Sequence, residues 1–107
     1  MTSSYILLLP AIHDFARARN WYDGQRSGLG DEFQRAMWAH LEQIGDDPQA
    51  GAPVGWTTGV HRLLAHRFPY HIVYLAERPA VIILIRHARR DPSTLRRDIR
   101  KRLRQRS

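Results

Sequence analysis

The sequence predicts an α+β fold: an N-terminal strand, an αα-hairpin packed on a small antiparallel sheet, and a basic C-terminal helix. Three observations carry this. Two helical-period apolar stripes follow one another in the first half. Three apolar runs between Val60 and Arg86 are separated by turns too short for any pairing but antiparallel. The last stretch sets Leu95, Ile99 and Leu103 at helical spacing and puts arginine almost everywhere else.

Tyr5–Leu9 is a short apolar run that reads as a strand. Pro10 suits the first turn of a helix, where a missing N–H costs nothing. Ile12, Phe15, Ala16, Arg19 and Tyr22 then recur at helical spacing, with Gly24 as the stop. Ser27 and Gly28 make a polar turn. Leu29, Phe33, Ala36, Met37, Leu41 and Ile44 form the stripe of a second helix, ended by Gly45 and Pro48. Gly45 to Gly59 is a glycine- and proline-rich loop carrying Trp56, expected to be exposed or at an interface.

Val60–His66, Tyr70–Ala76 and Val81–Arg86 are the three meander strands, turning at Phe68-Pro69 and Arg78-Pro79. The unbroken Val-Ile-Ile-Leu-Ile run of the last suits a central strand buried on both faces. Asp91 and Pro92 form a helix start, and the basic helix is expected over 93–107. Neither half has a core of its own, so 1–107 reads as one domain. The hairpin is expected on one sheet face, with the other partly open.

The bulk numbers close off several classes of function. At 43% hydrophobic and 25% charged residues the chain is globular rather than disordered. It has no cysteine, which removes disulfides, thiolate nucleophiles and Cys-based zinc sites and fits the cytoplasm. No stretch is long enough for a membrane span or a signal peptide. Walker-type phosphate loops, dinucleotide fingerprints and nucleophile elbows are absent, and no cofactor is expected. The net charge is +7, and nearly all of it lies in the tail, where seven cations from Arg96 to Arg106 face Asp98 alone. Such a tail suits nucleic acid or an acidic protein partner; a solvated helix face is the plainer reading.

Candidate chemistry gathers in the meander. Four of the six histidines lie there, namely His61, His66, His71 and His87, interleaved with Arg62, Arg67, Arg86, Arg89 and Arg90. Imidazole is a general acid or base near neutral pH, and guanidinium grips phosphate. No carboxylate joins the histidines at ligand spacing, so no metal is expected. Alternation puts Arg62, Leu64 and His66 on one strand face, and His61, Leu63 and Ala65 on the other. This composition permits metal-free cleavage of RNA, in which the 2′-hydroxyl is the nucleophile and a base, an acid and cations suffice.

Gly59–Tyr74 (GVHRLLAHRFPYHIVY) resembles the central hairpin of the RelE/ParE superfamily of bacterial toxins. His87–Pro92 (HARRDP) resembles the motif after their last strand, and Gly28–Phe33 (GLGDEF) and Asp47–Gly51 (DPQAG) resemble their second helix and the loop beyond it. The resemblance implies the toxin of a type II toxin–antitoxin module, neutralised by a cognate antitoxin held on the helical hairpin and a sheet edge. It implies one of two targets: DNA gyrase for ParE-like members, or ribosome-bound mRNA for the RelE-like endoribonucleases. The motif style is closer to ParE-like members.

For an endoribonuclease, the resemblance assigns catalysis to Arg62, His71 and Arg89. The two lysines of RelE-type members fall at Arg62 and Leu64, their next-strand arginine at His71, and their C-terminal tyrosine at Leu95. Target contacts are expected from His66, Arg67, His87, Arg90, Arg96, Arg97 and Arg100. An inactive family member is the remaining alternative.

Overall fold

The computed structural model describes residues 4–106. Its strands are β1 (Tyr5–Leu7), β2 (Ala52–Pro53), β3 (Val60–Leu64), β4 (Tyr70–Leu75) and β5 (Ala80–His87). Its helices are α1 (Leu9–Gln25), α2 (Leu29–Asp46) and α3 (Leu95–Gln105), the last entered through a single 3-10 turn at Pro92–Thr94. The sheet order is β1-β5-β4-β3-β2. The α+β class and the helical hairpin are as expected.

The sheet is mixed rather than antiparallel. β1 runs parallel to β5, pairing Tyr5 with Ala80 and Leu7 with Ile82. The hairpin of helices lies between these two strands in sequence and acts as their crossover, which a parallel pair requires. β1 stops at Leu7, two residues short of expectation, because Leu8 opens α1: its carbonyl accepts from Ala11 and Ile12 N–H. β2 is a further two-residue strand inside the expected loop, added to β3 by the pairs Ala52–Arg62 and Pro53–His61.

α1 departs from its expected stripe. The buried residues are Ala11, Asp14, Ala18 and Tyr22, while Ile12 is 46% exposed and Ala16 is exposed. Gly24 is inside the helix, which continues to Gln25. The stripe is turned by one position because it contains a carboxylate that periodicity reads as a gap.

α2 follows its predicted stripe, burying Phe33, Met37, Leu41 and Ile44. Its start is capped from outside: Asp23 Oδ1 accepts from Gly28 N–H at 3.0 Å and from Gly30 N–H at 3.2 Å. Gly30 is the contact point of the hairpin, since a Cβ there would come within 2.7 Å of the Arg19 carbonyl oxygen.

Two cores result. Beneath the hairpin, Tyr22, Phe33, Phe68 and Tyr70 pack as an aromatic cluster, with ring centroids 5.0–5.4 Å apart for the pairs Tyr22–Phe33, Tyr22–Phe68, Phe33–Phe68 and Phe33–Tyr70. Each such pair adds about 0.5–1.5 kcal/mol beyond its buried area. On the other face, Leu95 and Ile99 of α3, with half-buried Leu103, cover Val60, Val73, Leu75, Val81, Ile83 and Leu84. The expected open face is therefore covered over much of its length. The helix predicted over 93–107 spans Leu95–Gln105, and Ser107 lies outside the described residues, as do residues 1–3 of the expected 1–107 domain. Trp56 is half-buried beneath this helix, with the guanidiniums of Arg96 and Arg100 at 4.7 and 5.2 Å from its ring.

The loop before β3 is held by Tyr74, whose hydroxyl donates to the Pro48 carbonyl at 2.7 Å and accepts from Gly51 N–H at 2.8 Å. His61 Nδ1 donates to the Gly51 carbonyl at 3.0 Å. Among the described residues no helix is long and apolar enough to cross a membrane.

From Ile83 onward β5 has no strand beside it on the β1 side among the described residues. Side chains fill the place. Ile85 N–H donates to Asp14 Oδ2 at 3.0 Å, and Arg102 donates to the Ile83 carbonyl at 2.7 Å. Arg102 also grips Asp14 bidentately, at 2.9 and 3.1 Å. The Asp14 side chain is 6% exposed. Asp14→Ala leaves the Ile85 N–H and the Arg102 guanidinium without their partner, and should lower stability by about 3–5 kcal/mol in urea denaturation. Exposed Asp46→Ala should change it by less than about 0.5 kcal/mol.

Candidate functional site

The strand registers bring three sequence-distant side chains into one row. Leu64 of β3 pairs with His71 of β4, and His71 pairs with Arg86 of β5. Arg62 stands two residues from Leu64 and so shares its face. This is the face that α3 covers further along; here Arg62 and Leu64 are exposed and His71 is half-buried. The sheet thus sets Arg62, His71 and Arg86 in one row, an imidazole between two guanidiniums, with Leu64 beside it.

Arg86 is buried, 6% exposed, which its position at the end of an all-apolar strand explains. A buried guanidinium needs a partner. It donates to the Asp98 carboxylate and, at 3.3 Å, to Thr94 Oγ1. Asp98 also accepts from Arg97 Nε at 3.3 Å. The hydrogen bond from Arg86 holds the Asp98 carboxyl below the usual carboxylate range. α3 therefore supplies the carboxylate that pairs with Arg86.

His71 is the least satisfied member. Its Nδ1 is buried and has no hydrogen-bond partner among the described residues. Burial, then the charges of Arg62 and Arg86, lower its pKa below 6.5. The ring is neutral at neutral pH, which leaves an imidazole able to accept a proton beside two fixed cations.

The remaining expected residues separate into groups. Arg89 is exposed in the turn after β5, and no hydrogen bond or ion pair joins it to Arg62 or His71 among the described residues. Its N–H donates to His87 Nδ1 at 3.0 Å, which puts the His87 proton on Nε2. Arg67 pairs with Glu32 and lies 4.8 Å over the Phe68 ring, so it ties the β3–β4 turn to α2. Arg96 and Arg100 rest on Trp56, and Arg97 is paired with Asp98. His61, grouped with the other histidines in sequence, is a buried strut. His66 is exposed and lines a cavity of about 480 Å³ with His40, Gln43, Arg62 and Leu64.

A second concave region lies between α1, the end of β5 and α3. A cavity of about 290 Å³ lined by Arg17, Arg86, Arg90, Lys101 and Arg102 adjoins one of about 180 Å³ that reaches Trp21, Tyr70 and His87. Burial, then the neighbouring Tyr22, pushes the Tyr70 phenol up to about 12, so it stays protonated. Among the described residues no three His, Asp or Glu side chains converge as metal ligands.

Sequence reasoning names Arg62, His71 and Arg86 among the candidate residues and does not reach Asp98, Asp14, Arg102 and Trp21 as site-forming residues. Two signals were available. Asp98 is the lone acid in the basic tail, and Arg86 ends an otherwise apolar strand. No protein-family model matches the chain, and no curated protein matches it either.

His71 should titrate below pH 6.5 when its ring protons are followed by NMR, and Arg62→Ala should move the midpoint upward. Below pH 6.5 the unfolded chain takes up a proton at this residue before the folded one does. Stability should fall as pH drops through that window, and His71→Leu should remove this part of the acid sensitivity. A His71 midpoint at or above 6.5 would contradict the assigned environment.

Proposed function

We propose that this chain is the toxin of a bacterial type II toxin–antitoxin module of the RelE/ParE superfamily, that it acts in the ParE-like manner by binding DNA gyrase, and that a cognate antitoxin neutralises it. Four motifs in the family's order, spread over nearly the whole sequence, support the family. A strand, a helical hairpin, a meander and a basic helix in succession agree with it.

The observation that favours binding over cleavage is the state of the sheet row. Where the nuclease members carry lysine and tyrosine, this chain has Leu64, exposed, and Leu95, packed into the core under α3. Neither can move a proton. Arg86 is occupied by Asp98. Arg62 and an apolar Leu64 side by side make a contact surface more readily than a reaction centre.

The unpaired Nδ1 of His71 between Arg62 and Arg86 favours one second reading, a ribosome-dependent mRNA endonuclease. His71 would take the proton of a 2′-hydroxyl as that oxygen attacks the adjacent phosphorus, and Arg62 and Arg89 would stabilise the charge on the phosphoryl oxygens. The departing 5′-oxygen needs a proton, and the row offers no second acid to give it.

Purified toxin in excess should block gyrase supercoiling. Inducing the toxin should arrest growth without codon-positioned mRNA cuts in primer extension. Cuts that disappear in the His71→Ala, Arg89→Ala double variant would establish the nuclease reading instead. Expression without growth arrest would mark an inactive member.

A further inference from the structure

We infer that the groove between α1, the C-terminal end of β5 and α3 is a binding site for a nucleoside-phosphate unit, with the phosphate at Arg90 and Lys101 and the base on Trp21. The inference does not depend on the toxin reading: its binding groups are Arg90, Lys101 and Trp21, and the groove meets the row of Arg62 and His71 at Arg86 alone.

Continuity of the groove is the first support. Its two cavities, about 290 and 180 Å³, share Asp14, Arg17, Ile85, Arg86 and Arg90 as walls. Together they lie in the range of small-ligand sites, roughly 300–1,000 Å³.

Its charge is the second. Both carboxylates in the wall are already taken. Asp14 accepts from Arg102 and Arg17, and Asp98 from Arg86 and Arg97. Arg90 and Lys101 are exposed and have no ion-pair partner among the described residues. Two cations therefore converge on the groove with no protein anion to meet them. An arginine and a lysine offer donors and positive charge to a phosphate from two directions.

The aromatic end is the third. Trp21 is 58% exposed on α1, next to Tyr22 of the buried stripe, and offers its indole at the surface. Tyr22, buried behind it, meets its ring edge-on with centroids 5.0 Å apart, so the indole is braced rather than loose. It lines the smaller cavity, and Arg90 lines both. An indole at one end and unpaired cations at the other match a base joined to a phosphate. Tyr70, held protonated, and His87, with its proton on Nε2, complete the wall with hydrogen-bonding groups.

The ligand can be a free nucleotide or one residue of a single strand, and binding measurements separate these. Fluorescein-labelled oligouridylate and its deoxy counterpart should be titrated by anisotropy, with AMP and inorganic phosphate as competitors. Two patterns support the site: oligonucleotide binding that AMP displaces only weakly, indicating a strand, or AMP binding tighter than inorganic phosphate with no gain from the strand, indicating a free nucleotide. In either pattern the Arg90→Ala, Lys101→Ala double variant should weaken binding at least tenfold. Trp21→Ala should weaken it roughly tenfold for base-containing probes and leave inorganic phosphate unchanged. All three side chains are exposed, so these variants should keep the wild-type circular dichroism and urea midpoint.

Binding untouched by all three substitutions would overturn the inference. So would an affinity for polyglutamate equal to that for the oligonucleotide, which would make the groove an acidic-peptide surface.

Discussion

The bridge from Asp14 through Arg102 to the backbone of β5 is the constraint on which the rest of the molecule depends. A three-residue first strand leaves the β1 side of β5 without a strand partner among the described residues for more than half its length, while β4 pairs its other side. Unpaired backbone groups in such a strand either meet water, invite another chain, or are satisfied by side chains. Here Asp14 takes the Ile85 N–H and Arg102 supplies the Ile83 carbonyl. One carboxylate thereby ties α1, β5 and α3 together, in a place where an apolar side chain would leave polar backbone uncovered.

That bridge also decides what α3 is. Its sequence reads as an arginine-rich tail with a thin apolar stripe, yet the cations on it are differently employed. Arg102 completes the strand edge, Arg97 pairs with Asp98, Arg106 reaches Glu77 at 3.4 Å, and Arg96 and Arg100 cover Trp56. The surface pairs add little each at ordinary ionic strength. The burial of Leu95 and Ile99 and the bridge at Asp14 are what hold the helix. Asp98 then arrives at Arg86 as a consequence of that docking. The charge of the sheet row is thus set by the packing of a helix nearly at the end of the chain.

Much of this was legible in the sequence, for a definite reason. Where apolar spacing alone determines burial, as in α2 and in β5, the pattern and the structure agree. α1 was misread because Asp14 occupies a core position that hydrophobic periodicity treats as polar, which shifted the stripe toward Ile12. The parallel pairing of β1 was missed because short turns reveal only antiparallel neighbours; a partner seventy-odd residues away leaves no local trace. The open face was expected because the arginines of α3 outnumber its three apolar residues, although three residues at i, i+4, i+8 are enough to seat a helix. In the candidate site, Arg62 and His71 were accessible from strand alternation. The pairing of Arg86 with Asp98 was not, because their meeting is tertiary. Arg67, expected at a target contact, also pairs with Glu32, thirty-five residues earlier, which no local pattern reveals.

The same tertiary logic explains why His71 is unusual. A histidine facing an open sheet would find water for both nitrogens and keep its ordinary titration. Seated between Leu64 and Arg86, with Arg62 on the diagonal, its Nδ1 loses water and gains no acceptor or donor in exchange. Two guanidiniums oppose its protonation, and Asp98, the carboxylate that reaches the row, is committed to Arg86. A core built for stability alone would place an apolar residue here at no loss, since a buried unpaired nitrogen costs about 1–3 kcal/mol. The row therefore carries a structural cost that packing does not explain, and this is the strongest physical reason to regard that end of the sheet as a surface with a partner.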